Sequence, residues 1–239
     1  MERVAVITGA AGGIGSAAVD LFRSQGWHVV GIDRIGEDVM KADRFVTADV
    51  ADEASLKAAF ASLQDLGHID TLVNNAAVSQ STALIETTSA EWDEIMAINL
   101  RGAFLATRFA YPLMKDRGGS IVNVSSVHAL ATAVGVAGYA ASKGALVALT
   151  RASALELAVD GIRVNAVLPG AVDTPMLLRD GDDVERIRSI RARTPLGRVA
   201  DAREIAQAIL FLSDGERSSF ITGESLLVDG GAIAKLSTE

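Results

Sequence analysis

A glycine-rich turn between a strand and a helix near the N-terminus most strongly limits the folds open to this chain. Residues 4–8 (VAVIT) form a short β-branched run typical of a buried strand, and the turn at residues 8–15 (TGAAGGIG) follows directly. A helical pattern through Ala17 and Phe22 then ends near Gly26. A strand that enters a helix through glycines begins a βαβ unit, and its backbone can approach a pyrophosphate at the helix N-terminus.

The same alternation continues along the chain. Further strands are predicted at residues 28–33, 44–47, 71–74, 120–125, 163–168 and 225–228. Helices are predicted at residues 52–66, 89–99, 102–115 and 201–212, and another carries Tyr139 and reaches Val159. Such alternation gives right-handed βαβ units. With no internal repeat or linker, we expect one α/β domain over residues 1–239, a doubly wound, seven-stranded parallel sheet with helices on both faces.

Composition excludes several classes of protein. The 239 residues carry a net charge of −8 at pH 7 and no cysteine. The acidic balance disfavours nucleic acid or an anionic membrane as partner. Without cysteine there is no disulfide, thiol catalysis or cysteine-ligated zinc, which fits a reducing cytoplasm. The N-terminus does not resemble a signal peptide, and no apolar run approaches the roughly 18 residues that span a bilayer. We expect a soluble, cytoplasmic protein.

Glycines and polar residues collect where the predicted strands end. In open parallel sheets, ligands bind beyond the carboxyl ends of the strands, so these residues are expected to lie around one site. They are residues 9–15, Asp33, Asp49, residues 74–76, Ser125, Ser126, Pro169 and Gly170.

The glycine spacing predicts a dinucleotide site. Gly9, Gly13 and Gly15 give the pattern G-x-x-x-G-x-G between a strand and a helix. A P-loop is disfavoured because Ser16 directly follows Gly15, which leaves no place for the phosphate-binding lysine. The alternative, a merely tight turn, is disfavoured by the acid that ends the next strand.

That acid, Asp33, bears on which dinucleotide is bound. A carboxylate there can accept hydrogen bonds from the adenosine ribose hydroxyls and would repel a 2′-phosphate, which favours NAD over NADP. The next residue, Arg34, keeps NADP open because a guanidinium could hold that phosphate. Arg34 is otherwise a solvent-facing side chain or one that packs over the adenine.

Tyr139 and Lys143 form a candidate acid–base pair at positions i and i+4 of a helix, where both side chains share one face. A free tyrosine has a pKa of about 10 and is a poor base near neutrality. A cation about 4 Å away, at an effective dielectric of about 20, favours the phenolate by roughly 4 kcal/mol, which is on the order of three pKa units. We therefore expect Lys143 to lower the pKa of Tyr139. The spacing also arises by chance in helices, so its meaning depends on the rest of the chain.

Taken together, these residues resemble the short-chain dehydrogenase/reductase family over residues 3–231. The resemblance implies a single-domain Rossmann fold and a nicotinamide-dependent oxidoreductase of secondary alcohols or ketones, often a homotetramer. Ala77 departs from the family pattern, which usually has glycine there. The matching motifs are T-G-x-x-x-G-x-G at residues 8–15, Asp49-Val50, Asn74-Asn75-Ala76, Asn99, Ser126, Tyr139-x-x-x-Lys143, and Pro169-Gly170 with Thr174.

The resemblance implies a catalytic tetrad of Asn99, Ser126, Tyr139 and Lys143. Tyr139 would exchange a proton with the substrate oxygen while hydride passes to or from the nicotinamide. Ser126 would hydrogen-bond the same oxygen. Lys143 would hold the nicotinamide ribose and lower the pKa of Tyr139, and Asn99 would anchor a water that links Lys143 to solvent.

The resemblance also implies the residues that hold the cofactor. Asp49 and Val50 would flank the adenine, Asn75 and Ala76 the ribose region, and the backbone of residues 170–172 with the Thr174 hydroxyl would meet the carboxamide. The full implied set is Gly9, Gly13, Ile14, Gly15, Asp33, Arg34, Asp49, Val50, Asn75, Ala76, Tyr139, Lys143, Pro169, Gly170, Val172 and Thr174.

Substrate choice is expected to depend on the stretch between Ser126 and Tyr139 (VHALATAVGVAG), which is mostly small and apolar. The predicted substrate contacts are Ser126, His128 and Tyr139; His128 is alternatively a histidine satisfied by backbone at the strand end. The family keeps a substrate lid at about residues 175–197. Its mixed charges favour a solvated, mobile helix over a site for an anionic substrate.

Competing chemistries find little support in the sequence. No serine lies in a G-x-S-x-G elbow, and three histidines without H-E-x-x-H do not support a zinc alcohol dehydrogenase, so no metal is predicted. Two alternatives stay open. One is an NADP-dependent 3-oxoacyl or ketone reductase of the same family. The other is a non-catalytic dinucleotide-sensing protein, which predicts a degraded tetrad.

Overall fold

All strands of the described residues join in one parallel sheet in the computed structural model, which describes residues 2–35, 41–79, 81–177 and 184–234. The order across the sheet is β3-β2-β1-β4-β5-β6-β7, and every neighbouring pair is parallel. The predicted seven-stranded, doubly wound α/β fold is therefore confirmed. The strands are β1 (Arg3–Thr8), β2 (Trp27–Asp33), β3 (Arg44–Thr47), β4 (Thr71–Asn74), β5 (Gly119–Val124), β6 (Ile162–Pro169) and β7 (Ser225–Val228).

Helices cover both faces of the sheet. They are α1 (Gly13–Ser24), α2 (Glu53–Ala61), α3 (Ser89–Met96), α4 (Gly102–Ala110), α5 (Ala137–Leu157), α6 (Val184–Arg193), α7 (Ala202–Ser213) and α8 (Gly215–Ser218). Short 3₁₀ turns occur at Gln64–Leu66, Tyr111–Leu113, Val127–Ala129 and Ala158–Asp160. No helix of the described ranges is both long enough and apolar enough to cross a membrane.

Alternate strand residues enter two hydrophobic cores, as the two-residue period of a strand requires. Val6 and Val30 pack with α2 and α4 on one face, whereas Ile7 and Val29 pack with α1 and α7 on the other. Because both faces are covered, the strands read as continuous apolar runs rather than alternating ones.

Helix ends differ from prediction for local reasons. The helix predicted at residues 102–115 ends at Ala110, because Pro112 in the following turn cannot donate a backbone hydrogen bond. The helix predicted at residues 52–66 ends at Ala61, and its start is capped by Asp52, whose carboxylate accepts from the backbone of Ala54 and Ser55.

The break predicted between residues 99 and 102 does not occur. A π-helical turn (Ala97–Arg101) joins α3 to α4 in one continuous element. Such turns are rare in proteins, and many of those that occur lie at functional sites. This turn contains Asn99.

The strand order reverses between β1 and β4, so the crevice at their carboxyl ends is the expected ligand site. The predicted lid at residues 175–197 contains α6, which has no buried residue. Residues 178–183 of that segment lie outside the described residues, and its mobility stays a prediction.

Candidate active site

The glycine turn is folded so closely that side chains cannot enter it. Gly9 has a φ of 65°, and a Cβ there would lie 2.7 Å from the Ala76 Cα. A Cβ on Gly15 would lie 2.1 Å from the Gly9 carbonyl oxygen. Glycine is therefore required at both positions.

Side chains from β1 and β4 brace this turn. The Thr8 hydroxyl accepts from the backbone N–H groups of Asn75 and Ala76, at 3.1 and 3.2 Å. The Asn75 carboxamide donates to the carbonyl oxygens of Thr8 and Gly9, at 3.1 and 2.9 Å. Both amide donors of Asn75 thus hold the turn, so its geometry points to supporting the turn more than to contacting a ribose.

The start of α1 is suited to an anion. Gly12 is its N-cap and offers no side-chain cap, so the first N–H groups have no side-chain acceptor. Four other helices have side-chain caps at this position, namely Asp52, Thr88, Asp201 and Asp214. An uncapped helix start within a glycine turn fits the pyrophosphate of a dinucleotide.

A pocket beside this turn, called the adenosine pocket below, lies where the sequence predicts that the adenosine half of a dinucleotide binds. Asp33 ends β2 there, with Oδ2 accepting from Ala11 N at 3.0 Å and Oδ1 from Arg34 N at 2.7 Å. The Arg34 guanidinium is mostly exposed and lies 3.7 Å from Asp49 Oδ2. The lining residues are Gly9, Gly12, Ile32, Asp33, Arg34, Ala48, Asp49, Val50, Asn75, Ala76, Ala77, Val78, Ile98 and Met176.

The loop after β6 packs against the glycine turn and against the residues that follow β7. Gly170 N donates to Val228 O at 3.0 Å, and a Cβ on Gly170 would lie 2.9 Å from the Asp229 Cα. Val172 is buried and pairs with Ala200. This loop brings Thr174 against the glycine turn, because a Cβ on Gly13 would lie 2.5 Å from the Thr174 Cγ2.

Ser126, Tyr139 and Lys143 meet at the carboxyl end of β5. Lys143 is only 2% exposed, and its Nζ donates to Val124 O at 2.8 Å. The same Nζ lies 5.6 Å from the Tyr139 ring centroid. Ser126 follows β5 and interacts with the Tyr139 hydroxyl.

The predicted lowering of the Tyr139 pKa is wrong for the chain by itself. Burial raises the pKa of Tyr139, and the Ser126 side chain opposes this only in part. Burial also lowers the pKa of Lys143 to about 7, so its charged form is disfavoured near neutrality. A charged lysine close to the phenol would lower the pKa of Tyr139, but burial disfavours that charge.

Asn99 uses its carboxamide to hold backbone and helix. Its Oδ1 accepts from Val78 N at 2.8 Å, and its Nδ2 donates to Val78 O at 2.9 Å and to Ser142 Oγ at 3.0 Å. Both amide donors are therefore occupied. The predicted water link to Lys143 stays a prediction, and the side-chain donors of Asn99 are already committed elsewhere.

His128 lies beside Tyr139. Its ring meets the Tyr139 ring edge-on, with centroids 5.7 Å apart, and its Nδ1 lies 3.0 Å from Thr132 Oγ1. Its backbone N–H donates to Ser126 Oγ at 3.2 Å. The Nδ1 atom of His128 thus pairs with the Thr132 hydroxyl. The alternative interpretation had this histidine satisfied by backbone at the strand end. Burial lowers the pKa of His128, which favours the neutral ring.

Comparison with known proteins adds independent findings. A family model described as enoyl-(acyl carrier protein) reductase matches residues 9–232. A 3-oxoacyl-[acyl-carrier-protein] reductase of Thermotoga maritima is 38% identical over 244 residues, 97% of this chain and 98% of the relative. An NADP-dependent (R)-specific alcohol dehydrogenase of Lentilactobacillus kefiri is 36% identical over 247 residues, 98% of this chain and 97% of the relative.

The chain belongs to the short-chain dehydrogenase/reductase family. The solved structure of a ligand-free aldohexose dehydrogenase of Thermoplasma acidophilum agrees, with a TM-score of 0.93 and 33% identity over 99% of this chain and 96% of that one. The predicted family and the predicted enzyme class are confirmed. This short-chain dehydrogenase/reductase is an oxidoreductase of alcohol or ketone groups that binds a nicotinamide dinucleotide.

The geometry of this family member fits that cofactor. The uncapped start of α1 would take the pyrophosphate, Asp33 lies at the adenosine pocket, and the buried Lys143 lies beside Tyr139 at the opposite end of the crevice. Among the described residues, no three acidic or histidine side chains gather into a group able to hold a metal ion. The cofactor-binding and catalytic assignments remain predictions, although the structure brings these residues around one crevice.

Sequence reasoning missed two kinds of residue in this short-chain dehydrogenase/reductase. Met176 and Ile98 line the adenosine pocket but belong to no motif. Ser142 lies inside Tyr139-Ala-Ala-Ser-Lys143 and bonds both Asn99 and the Tyr139 carbonyl oxygen. A serine within an apolar helix, three residues after the tyrosine, was the signal that could have identified it.

Proposed function

We propose that the protein is an NAD-preferring oxidoreductase that interconverts a secondary alcohol and its ketone, with Tyr139 as general acid–base. The observation that carries this proposal is the meeting of Ser126, Tyr139 and Lys143 at the end of β5, in the crevice that also contains the glycine turn. We further propose that residues 1–239 form a single dinucleotide-binding domain.

Each residue of the cluster has a defined task in this proposal. When bound, the nicotinamide supplies the hydride acceptor for alcohol oxidation and the hydride donor for ketone reduction. The Tyr139 oxygen takes the substrate hydroxyl proton during oxidation and returns a proton to the carbonyl oxygen during reduction. Ser126 donates a hydrogen bond to that oxygen and stabilises the charge that develops on it.

Lys143 has two tasks in this proposal. Its ammonium holds the nicotinamide ribose hydroxyls, and its charge lowers the pKa of Tyr139. In the chain by itself, burial disfavours the charged form of Lys143. Hydrogen bonds from the ammonium to ribose hydroxyls favour that charged form, so cofactor binding would prepare the tyrosine for proton transfer.

The NAD preference is supported by the carboxylates of the adenosine pocket. Asp33 lines the pocket where ribose hydroxyls would lie, and the Arg34 guanidinium is 3.7 Å from Asp49. Because Asp33 and Asp49 together carry one more charge than Arg34 in the lining of this pocket, a 2′-phosphate would meet net repulsion. The alternative is an NADP-dependent 3-oxoacyl or ketone reductase, which the exposed Arg34 and the names of the two curated relatives support.

The substrate is proposed to be a neutral alcohol that contacts Ser126, His128 and Tyr139. A neutral His128 beside Tyr139 suits a hydrogen bond to an uncharged polar group. The similar aldohexose dehydrogenase makes sugars one class to test. A non-catalytic dinucleotide sensor is disfavoured because Asn99, Ser126, Tyr139 and Lys143 are all present and close together.

A cytoplasmic homotetramer is the proposed assembly. Apolar side chains on two helices support it: Phe104 on α4 and Leu155 on α5 are exposed, although such residues are costly to leave in water. Light scattering after gel filtration tests the oligomeric state. A mass of one chain at micromolar concentration would contradict this part of the proposal.

A substrate panel tests the proposed activity. Sugars, polyols, alicyclic alcohols, hydroxysteroids and 3-hydroxyacyl esters are offered with NAD or NADP, and reduced cofactor is followed by its absorbance. The proposal expects turnover with at least one class and a higher kcat/KM with NAD. A clear preference for NADP would contradict the argument that Asp33 favours NAD.

A further inference from the structure

Ser142 joins the catalytic tyrosine to the turn that contains Asn99. It is 0% exposed, although serine carries a polar hydroxyl. Its Oγ donates to the Tyr139 carbonyl oxygen at 2.7 Å and accepts from Asn99 Nδ2 at 3.0 Å. The hydroxyl therefore uses its single donor on the backbone of Tyr139 and one lone pair on Asn99.

The connection continues to the wall of the cofactor pocket. The other bonds of Asn99 go to the backbone N–H and carbonyl of Val78, and Val78 lines the adenosine pocket. A chain of hydrogen bonds thus runs from Val78 through Asn99 and Ser142 to the backbone of Tyr139. The buried Ser125 makes a related bond, in which its hydroxyl donates to the Lys143 carbonyl oxygen at 2.8 Å.

Tyr139 lies in the first turn of α5, only two residues after the helix begins. The N-cap of this helix, Val136, makes no side-chain hydrogen bond to the helix start. The bond from Ser142 comes from the next turn of the same helix, and it ties the Tyr139 carbonyl to the residue that Asn99 holds. It reaches the residue whose ring must stay aligned with Ser126.

We propose that Ser142 is a positioning residue of the reaction, which holds Tyr139 in register with Ser126 by fixing its backbone to Asn99 and the pocket wall. This inference rests on the proposed acid–base role of Tyr139. Ser142 acts through the tyrosine and does not touch the substrate oxygen. Loss of its hydroxyl is therefore expected to slow the proton-transfer step more than it weakens cofactor binding.

The same helix offers a matched control. Thr150 is also 0% exposed, its Oγ1 donates to Leu146 O at 2.8 Å, and it accepts from Asn123 Nδ2 at 2.9 Å. Its hydroxyl is thus bonded like that of Ser142, to a helix carbonyl and an asparagine amide. It lies eight residues further along, about 12 Å away along the helix axis, and neither of these hydrogen bonds goes to Tyr139 or Lys143.

The test compares Ser142→Ala with Thr150→Val in the full chain. Each variant leaves one buried asparagine amide without its acceptor, so both are expected to lower Tm. With the alcohol that gives turnover in the substrate panel, Ser142→Ala is expected to lower kcat about tenfold, with the Kd for NADH within twofold of wild type. Thr150→Val is expected to keep kcat within twofold.

A second readout needs neither substrate nor cofactor. The chain contains two tyrosines, Tyr111 and Tyr139, so labelling with ¹³Cζ-tyrosine gives two NMR signals that Tyr139→Phe assigns. Ser142→Ala should shift the Tyr139 signal and leave the Tyr111 signal in place. Thr150→Val should move neither signal. A merely structural role for Ser142 would lower Tm without moving the tyrosine signal selectively.

Several outcomes would overturn the inference. One is a folded Ser142→Ala variant that keeps the wild-type kcat and the wild-type Tyr139 signal. Another is a Thr150→Val variant that loses as much kcat as Ser142→Ala does. If Ser142→Ala does not fold, Ser142→Cys replaces it, since a thiol fills the space with a weaker donor; wild-type kcat and an unshifted signal then overturn the inference. Turnover that survives in Tyr139→Phe would instead refute the proposed function, whatever Ser142 does.

Discussion

The Lys143 ammonium lies 5.6 Å from the centre of the Tyr139 ring, yet its hydrogen bond goes to the Val124 carbonyl oxygen at 2.8 Å. The lysine is thus tied to the end of β5, in a position that burial makes unfavourable for a charge. Under the proposed mechanism, Lys143 therefore affects both the proton transfer by Tyr139 and the stability of the fold.

Replacing Lys143 by methionine should change how stability depends on pH. Below about pH 7, the lysine is protonated in both folded and unfolded chains, and the full cost of burying its charge is present. Between about 7 and the ordinary lysine value of 10.5, the folded chain has lost a proton that the unfolded chain keeps. The stability of the native chain therefore rises relative to Lys143→Met by up to about 1.4 kcal/mol per pH unit in that window.

Urea unfolding from about pH 6 to about pH 9 measures this difference. Lys57→Met is the control, because it makes the same change of side chain at an exposed lysine on α2, where no charge is buried. A constant difference between wild type and Lys143→Met across the range would show that Lys143 is not buried with a disfavoured charge.

Gly15→Ala should destabilise the fold, whereas Gly12→Ala should be tolerated. A Cβ at position 15 would lie 2.1 Å from the Gly9 carbonyl oxygen, which is backbone and cannot turn away. At position 12 the nearest atom is the same oxygen at 3.3 Å, and φ is −73°. Overpacking costs about 1–3 kcal/mol, and each kcal/mol lowers Tm by about 2–4 °C in a chain of this size.

Thermal unfolding of the two variants is the measurement. Gly15→Ala is expected to lose several degrees or more, and Gly12→Ala about 2 °C at most. Equal Tm values for the two variants would mean that the turn is not packed as described.

Asp33→Asn should shift the cofactor preference toward NADP. The amide oxygen can still accept from Ala11 N, so this support of the glycine turn is kept, although the bond from Arg34 N is lost. The negative charge that repels a 2′-phosphate is gone. The ratio of kcat/KM for NADP to that for NAD is expected to rise about tenfold, which corresponds to about 1.4 kcal/mol.

The control for this change is Asp43→Asn. Asp43 also accepts a backbone N–H, from Val29 at 2.9 Å, but it precedes β3 and lies at the opposite end of the sheet. Asp43→Asn should leave the ratio of kcat/KM for NADP to that for NAD unaltered. A ratio that moves equally in both variants would attribute the effect to net charge and not to the adenosine pocket.

The strands and the crevice could be predicted because their signals are local. Short β-branched runs bounded by glycine and charged residues predicted β3, β4 and β7 with the bounds that the structure has. Parallel strands then bring their carboxyl ends to one edge, so the position of the site follows from the topology.

The side-chain roles were harder to predict because they depend on contacts that are distant in the sequence. The π-helical turn at Asn99 has no recognisable pattern, and the two bonds of Asn99 to Val78 span 21 residues. The pKa of Tyr139 was predicted in the wrong direction because helical spacing does not reveal that burial disfavours the charged form of the tyrosine, and that of Lys143 as well. Burial is a property of the folded chain, and it determines the direction in which the pKa of Tyr139 shifts.

Turnover by Tyr139→Phe tests the central claim most directly. The substitution removes one hydroxyl and keeps the ring that His128 contacts, so the fold and the cofactor pocket should be preserved. The account predicts a fall in kcat of about 10²–10⁴-fold, with the Kd for NADH within twofold of wild type. A variant that binds NADH normally and turns over at the wild-type rate would contradict the assignment of Tyr139 as the acid–base group.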